Sequence, residues 1–340
     1  MSSGIEVLTG KARRNSLLVL LLLAGSLAEF LTGSTPIPRF LASPIFFLVL
    51  IGMYGGGALL IREIAVRWGK GWGAIVLLGG AYAVGEEGIA AKTMVDPIGS
   101  NIGNQVYSHF AGINWVPLAG LTVFHAVFSI TTTLLIVELL FPETKGRALV
   151  GTKWVVVAFA AYALTVIAVS PIDPYVITGP VLLFLLLYAG VFVVAARRIP
   201  NDFFRPQGEM PDKSERRYIL LGVGFMTGFF LIDGLGHVFF PWPITTLLFV
   251  PLVALTARYL LKHAGRSGND IVKADFVLGL ILVFVPIDFA EEFFSGNVGV
   301  LVYTGLILWT LLTVRRRILR RGSVAFSEVS GPPLPPSGPL

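Results

Sequence analysis

The 340 residues contain no cysteine. That absence removes disulfides, thiol nucleophiles and thiolate-held metals together. Charge is scarce too: Asp, Glu, Lys and Arg make up 14% of the chain, against roughly 25% in a soluble domain. Histidine occurs only at His109, His125, His237 and His263, so a metal centre has to draw on those and on carboxylates. No His-Glu-x-x-His, no phosphate-cradling glycine loop and no Gly-x-Gly-Asp motif of intramembrane proteases is present.

What fills the chain instead is apolar. Hydrophobic residues reach 55% and the mean hydropathy is +0.80, a membrane composition. A spanning helix needs about 20 apolar residues, and ten runs qualify: 16–33, 43–65, 71–91, 116–140, 150–170, 176–196, 218–238, 243–262, 274–293 and 297–314. The predicted fold is therefore all-α, a polytopic transmembrane helix bundle of about ten spans covering residues 1–321. The Pro/Gly/Ser-rich tail 322–340 is expected to be disordered. Residues Lys11, Arg13 and Arg14 precede an apolar run without a small-x-small exit, which reads as a retained first helix.

The net charge of +6 is topological and does not point to nucleic acid. With the N-terminus in the cytoplasm, every Lys and Arg except Arg39 and Lys92 falls on the cytoplasmic side of the ten runs. Both termini are then cytoplasmic, the chain lies in the cell membrane, and its first partner is the lipid bilayer.

The organising stretch is 79–114, and within it Glu86-Glu87. Carboxylates at membrane depth are rare and mark sites by default. At 1.5 Å rise per residue, Glu87 lies about 8 Å and His125 about 12 Å below the outer boundary. Glu29, Asp233 and Glu291 fall at similar depth, so five helices place ionisable groups in one layer. Asp233 and His237 share a helix face, as do Asp288 and Glu292. Carboxylates one turn apart in a low dielectric share a proton or recruit a cation. The ion- or proton-binding candidates are Glu86, Glu87, His125, Asp288, Glu291 and Glu292, with Glu29, Asp96, Asp233 and His237 as secondary ones. Glu29 to Glu87 and Asp233 to Glu291 are both 58 residues apart, which suggests parallel repeats of helices 1–3 and 7–9.

Gly52 and Gly56 form a GxxxG pair for close helix contact, and Arg62, Glu63 and Arg67 read as snorkelling anchors at a cytoplasmic helix end. As a whole the chain resembles prokaryotic multi-pass membrane families. Glu86-Glu87, followed by Phe124-His125-Ala-Val-Phe-Ser129, also resembles the motif order of the CPBP (CAAX-processing) intramembrane metalloproteases, which show Glu-Glu-x-x-x-Arg and then Phe-x-x-x-His. That resemblance implies a water-activating Glu86 or Glu87 and a metal-holding His125. Ala91 and Leu121 stand where its Arg and Phe would be, and no third motif follows. The residues themselves favour proton- or cation-coupled transport of a small solute, with an intramembrane metalloprotease or a non-catalytic membrane subunit as alternatives. No cofactor is specified.

Overall fold

The computed structural model describes residues 7–98, 105–201, 216–263 and 270–329, with backbone alone at Gln105 and 322–329. The chain is helical almost throughout. Its long helices are α1 (Gly10–Phe30), α2 (Pro44–Arg67), α3 (Trp72–Ala90), α4 (Trp115–Leu140), α5 (Thr152–Ile172), α6 (Gly179–Arg198), α7 (Arg216–Phe239), α8 (Trp242–His263), α9 (Asp270–Leu282), α10 (Phe284–Phe294) and α11 (Val300–Val329). Among the described residues, the seven from α2 to α8 are individually long and apolar enough to cross a membrane. This is a membrane protein by that pattern.

The other apolar runs miss that mark for visible reasons. Helix α1 begins among Lys11, Arg13 and Arg14, and α11 runs into Arg315, Arg316 and Arg317. The run expected at 274–293 is broken at Val283 into α9 and α10. Pro286 accounts for the break, because it has no N–H to offer Leu282 and its ring crowds that carbonyl. Residues 322–329 of the expected tail continue α11, and 330–340 lie outside the described residues.

Helices α3 and α4 pack along each other at the centre and are mostly enclosed. Helix α1 packs on α2 and α4, α6 on α3, α5 on α2, and α8 on α4 and α7. Only Ala158 and Val166 of α5, and Leu185 and Ala196 of α6, are buried. Leu164, Ile167, Leu187 and Val191 stand out from the bundle, the apolar surface a lipid-facing helix needs.

Close helix contacts form at glycine. A Cβ at Gly52 would lie 2.4 Å from Thr165 Oγ1, and one at Gly55 2.8 Å from the Leu21 carbonyl, so the GxxxG segment of α2 touches both α5 and α1. Helices α7 and α9 cross still more tightly at Gly222 and Gly279. A Cβ at Gly222 would meet the Phe276 carbonyl at 2.2 Å, and one at Gly279 the Ile219 carbonyl at 2.1 Å.

One end of the bundle is tied by a buried ionic network. The Arg62 guanidinium meets Glu63 at 3.0 Å and donates to the Thr144 and Arg147 carbonyls at 2.6 and 2.9 Å. Glu63 is fully buried and accepts from the Leu149 amide at 2.7 Å, while Arg67 donates to the Val150 carbonyl at 2.7 Å. Arg62 and Glu63 are thus interior residues that fasten the 141–151 connection, which corrects the reading of them as snorkelling anchors. Hydrophobic depth alone does not distinguish the two, because the partners are backbone carbonyls far along the chain.

Candidate functional site

In an ordinary α-helix, adjacent side chains point about 100° apart, so Glu86 and Glu87 should not reach one partner. Here they do. Residues Val84–Ala90 of α3 form a wide, i→i+5 hydrogen-bonded turn, and His125–Thr132 of α4 form another. Such turns are uncommon and occur often at functional sites. A third, Leu50–Gly55, lies in α2. All three border the same space.

His125 is 3% exposed and sits between the two carboxylates. Its Nε2 is 3.0 Å from Glu87 Oε1 and its Nδ1 3.1 Å from Glu86 Oε2. Ser129, one turn on, lies 3.1 Å from Nδ1. The Nδ1–Glu86 approach is a charge contact without hydrogen-bond alignment, and neither Glu86 oxygen has a hydrogen-bond partner among the described residues. Glu86 is 1% exposed, so a buried carboxylate without an aligned donor stands in the wall beside the imidazole. Glu87 is better served, since the Thr93 hydroxyl donates to its Oε2.

These groups open onto a cavity of about 470 Å³. Glu29 enters it from the end of α1, held by the Thr35 hydroxyl at 2.6 Å and by the Tyr54 hydroxyl of α2. Asp233 enters from α7 beside Gly120, with no donor on it among the described residues. The remaining wall is largely apolar, with Phe46, Leu50 and Met53 from α2, Leu121 and Phe124 from α4, and Phe229 and Phe230 from α7. No Lys or Arg lines it.

The expected layer is therefore partly one site. Glu29, Glu86, Glu87, His125 and Asp233 converge; Asp288, Glu291 and Glu292 do not. Asp288 is buried and takes the Thr304 hydroxyl, Glu292 caps the Leu301 amide at 2.9 Å, and Glu291 lies against Gly33. The break at Val283 turns α10 onto α11 and away from the cavity. The two 58-residue spacings accordingly lead to different places: Glu29, Glu87 and Asp233 face the cavity and Glu291 does not. The close α7–α9 contact has no comparable partner between α1 and α3 among the described residues.

The polar loop after α3 is scaffold. Lys92 takes a left-handed backbone (φ 59°) and donates its ammonium to the Asp173 and Tyr175 carbonyls at 2.5 and 2.7 Å. Asp96 caps the Ile98 amide at 2.9 Å, and buried Asn114 donates to the Thr93 and Asp96 carbonyls at 2.8 and 2.7 Å. His109 pairs with Asn114 at 2.7 Å. These contacts fix Thr93, and through it Glu87. His237 is exposed, its ring 6.2 Å from that of Tyr107, and does not join Asp233 in the cavity. Asn101 and Asn104 lie outside the described residues.

Sequence reasoning missed Tyr54 and Thr35 as carboxylate holders and underrated Glu29 and Asp233. The signal for Tyr54 was its place in the Gly-rich segment of α2, which has to lie against α1 and hence beside Glu29. Glu86, Glu87 and His125 could hold a metal ion, since one ligand atom from each lies within 4.8 Å of the others. Chemically the trio can also pass a proton. Imidazole donates at one nitrogen and accepts at the other, so His125 can exchange a proton with Glu87 through Nε2 and, with Nδ1 and Glu86 brought into line, pass it on to Glu86. Compared with protein-family models, curated proteins and solved structures, the chain matches none.

Proposed function

We propose that the protein is a transporter of the cytoplasmic membrane that couples movement of a small solute to protons through this cavity. The observation that carries the reading is the convergence of four carboxylates and one imidazole, from α1, α3, α4 and α7, on one space lined by no Lys or Arg. Such a space favours positive charge, and ionisable groups inside a bundle characteristically form proton relays and ion paths. Glu86, His125 and Glu87 form the relay; Glu29 and Asp233 face it across the solute.

Ten crossings accompany this reading, with α9 and α10 as one broken span, α1 and α11 as the outermost two, and both termini cytoplasmic. The charge pattern supports it: Lys and Arg gather at the end of the bundle away from the cavity. Neither the crossings nor the cavity requires an internal repeat.

In proteoliposomes with an acidic lumen, adding a carried solute outside should dissipate the pH gradient, read by a pH-sensitive dye. Glu87→Gln, which keeps shape and polarity without ionising, should abolish the response. A full response in that variant contradicts the proposal.

A second reading has one observation of its own, the 4.8 Å grouping of Glu86, Glu87 and His125. An intramembrane metalloenzyme, as the CPBP resemblance implies, would bind a metal there and use a carboxylate to activate water. Elemental analysis of the purified protein separates the two. Transport predicts no stoichiometric transition metal; one zinc per chain, lost in His125→Ala, would establish the enzyme instead.

A further inference from the structure

We infer that the solute of this cavity is an amphipathic organic cation, a charged nitrogen or phosphorus centre carrying aromatic or alkyl groups. The inference rests on the transport reading for what happens to the solute, and on the cavity wall for its class.

Sign comes first. Glu29, Glu86, Glu87 and Asp233 line the space with no Lys or Arg, and its one imidazole, His125, is taken up between Glu86 and Glu87, so four carboxylates outweigh it and an anion would meet net repulsion. Independently, Glu86 is 1% exposed with both oxygens lacking a hydrogen-bond partner among the described residues. Buried carboxylates without aligned donors are disfavoured; the His125 imidazole beside Glu86 offsets part of that penalty, and a cation lodged in the cavity offsets more of it.

The rest of the wall selects against a small hydrated ion. Phe40, Phe46, Tyr54, Phe124, Phe229 and Phe230 present aromatic surface to the same space. Aromatic faces attract cations, most strongly when both are desolvated, and they shed rather than hold water. The Tyr54 hydroxyl is engaged by Glu29, so that residue offers its ring. An inorganic ion would leave these six rings uncompensated, whereas a substituted ammonium or phosphonium fills them.

Size agrees. About 470 Å³ lies within the range of roughly 300–1,000 Å³ typical of sites for drug-sized ligands. The same cationic chemistry occurs on choline-type lipid headgroups, but a phospholipid brings a phosphate, and the wall has no Lys or Arg to meet it, its imidazole being taken up by Glu86 and Glu87. A free cation is the better fit.

The test uses the purified full chain and three probes. Tetraphenylphosphonium should bind saturably by equilibrium dialysis, about one per chain. Tetraphenylborate, alike in size and shape but negative, should not bind, and glycerophosphocholine should not compete. Glu86→Gln and Asp233→Asn should each weaken tetraphenylphosphonium binding at least tenfold; Asp233, held by no donor, is the variant expected to fold normally, checked by gel filtration. Equal binding of tetraphenylborate, competition by glycerophosphocholine, or unchanged affinity in both variants overturns the inference. Binding that does not dissipate the proteoliposome pH gradient would leave the solute class standing and remove proton coupling. A gradient response to neutral solutes without tetraphenylphosphonium binding would do the reverse.

Discussion

Nε2 of His125 lies 3.0 Å from Oε1 of Glu87, a residue 38 positions earlier on a different helix. The contact joins the two central helices at the depth where Glu86 also turns inward, and it links packing to the chemistry proposed for the cavity.

Removing the imidazole should destabilise the fold as well as stop coupling. His125→Ala leaves buried Glu86 and partly buried Glu87 facing each other, and breaking a buried charged pair costs about 3–5 kcal/mol. Glu87→Gln keeps an acceptor for Thr93 and a neighbour for His125, so it should cost about 1 kcal/mol or less. Thermal unfolding in detergent should show a large drop in Tm for the first variant and a small one for the second. Similar drops would mean that the imidazole contributes no more to the fold than the charge on Glu87.

At the opposite end, Glu63 is fully buried between Arg62, Arg67 and the Leu149 amide. Glu63→Ala should lower stability by about 3–5 kcal/mol, because it strands two guanidinium groups in the interior. Tetraphenylphosphonium affinity, measured on the folded fraction, should be unchanged. A stability loss below about 1 kcal/mol would return this cluster to the status of a surface pair.

The α7–α9 crossing allows a paired test. Gly279→Ala places a methyl 2.1 Å from the Ile219 carbonyl, an overpacking expected to cost about 1–3 kcal/mol. Gly224→Ala meets nothing within 4 Å and should stabilise by up to about 1 kcal/mol, the helix-propensity gain alone. Tm shifts of the same sign in both variants would contradict this packing.

Topology is checked with reporters. Fusions after Arg39, Asp96, Asp173, Pro241 and Asn297 should all read outside, and one after Arg147 inside. A cytoplasmic signal at Asp96 would invert the placement of the cavity.

The helices α2 to α8 were legible because each is a long apolar run bounded by charge, Gly or Pro, and their ends match the expected ones closely. Glu86, Glu87 and His125 were legible because burying such groups in lipid needs a reason. The rest was hidden for definite causes. The wide turns that let adjacent Glu86 and Glu87 share one histidine have no sequence signature. Asp288, Glu291 and Glu292 matched in depth but not in direction, since depth counts residues and cannot show that Pro286 redirects α10. Glu29 and Asp233 looked like lone interfacial acids, because Tyr54 and Gly120, which border them, come from other helices.

The central claim is that Glu29, Glu86, Glu87, His125 and Asp233 share one cavity that attracts positive charge. The chain has no cysteine, so single-cysteine variants at Thr32 in the turn after α1, Met53 on α2 and Phe230 on α7, all lining that cavity, carry the only thiol. A positively charged methanethiosulfonate should modify each at least tenfold faster than a negatively charged one, with tetraphenylphosphonium protecting all three and Glu86→Gln/Glu87→Gln reducing the preference. Equal rates for the two reagents, or modification of Thr32→Cys alone, would contradict the claim.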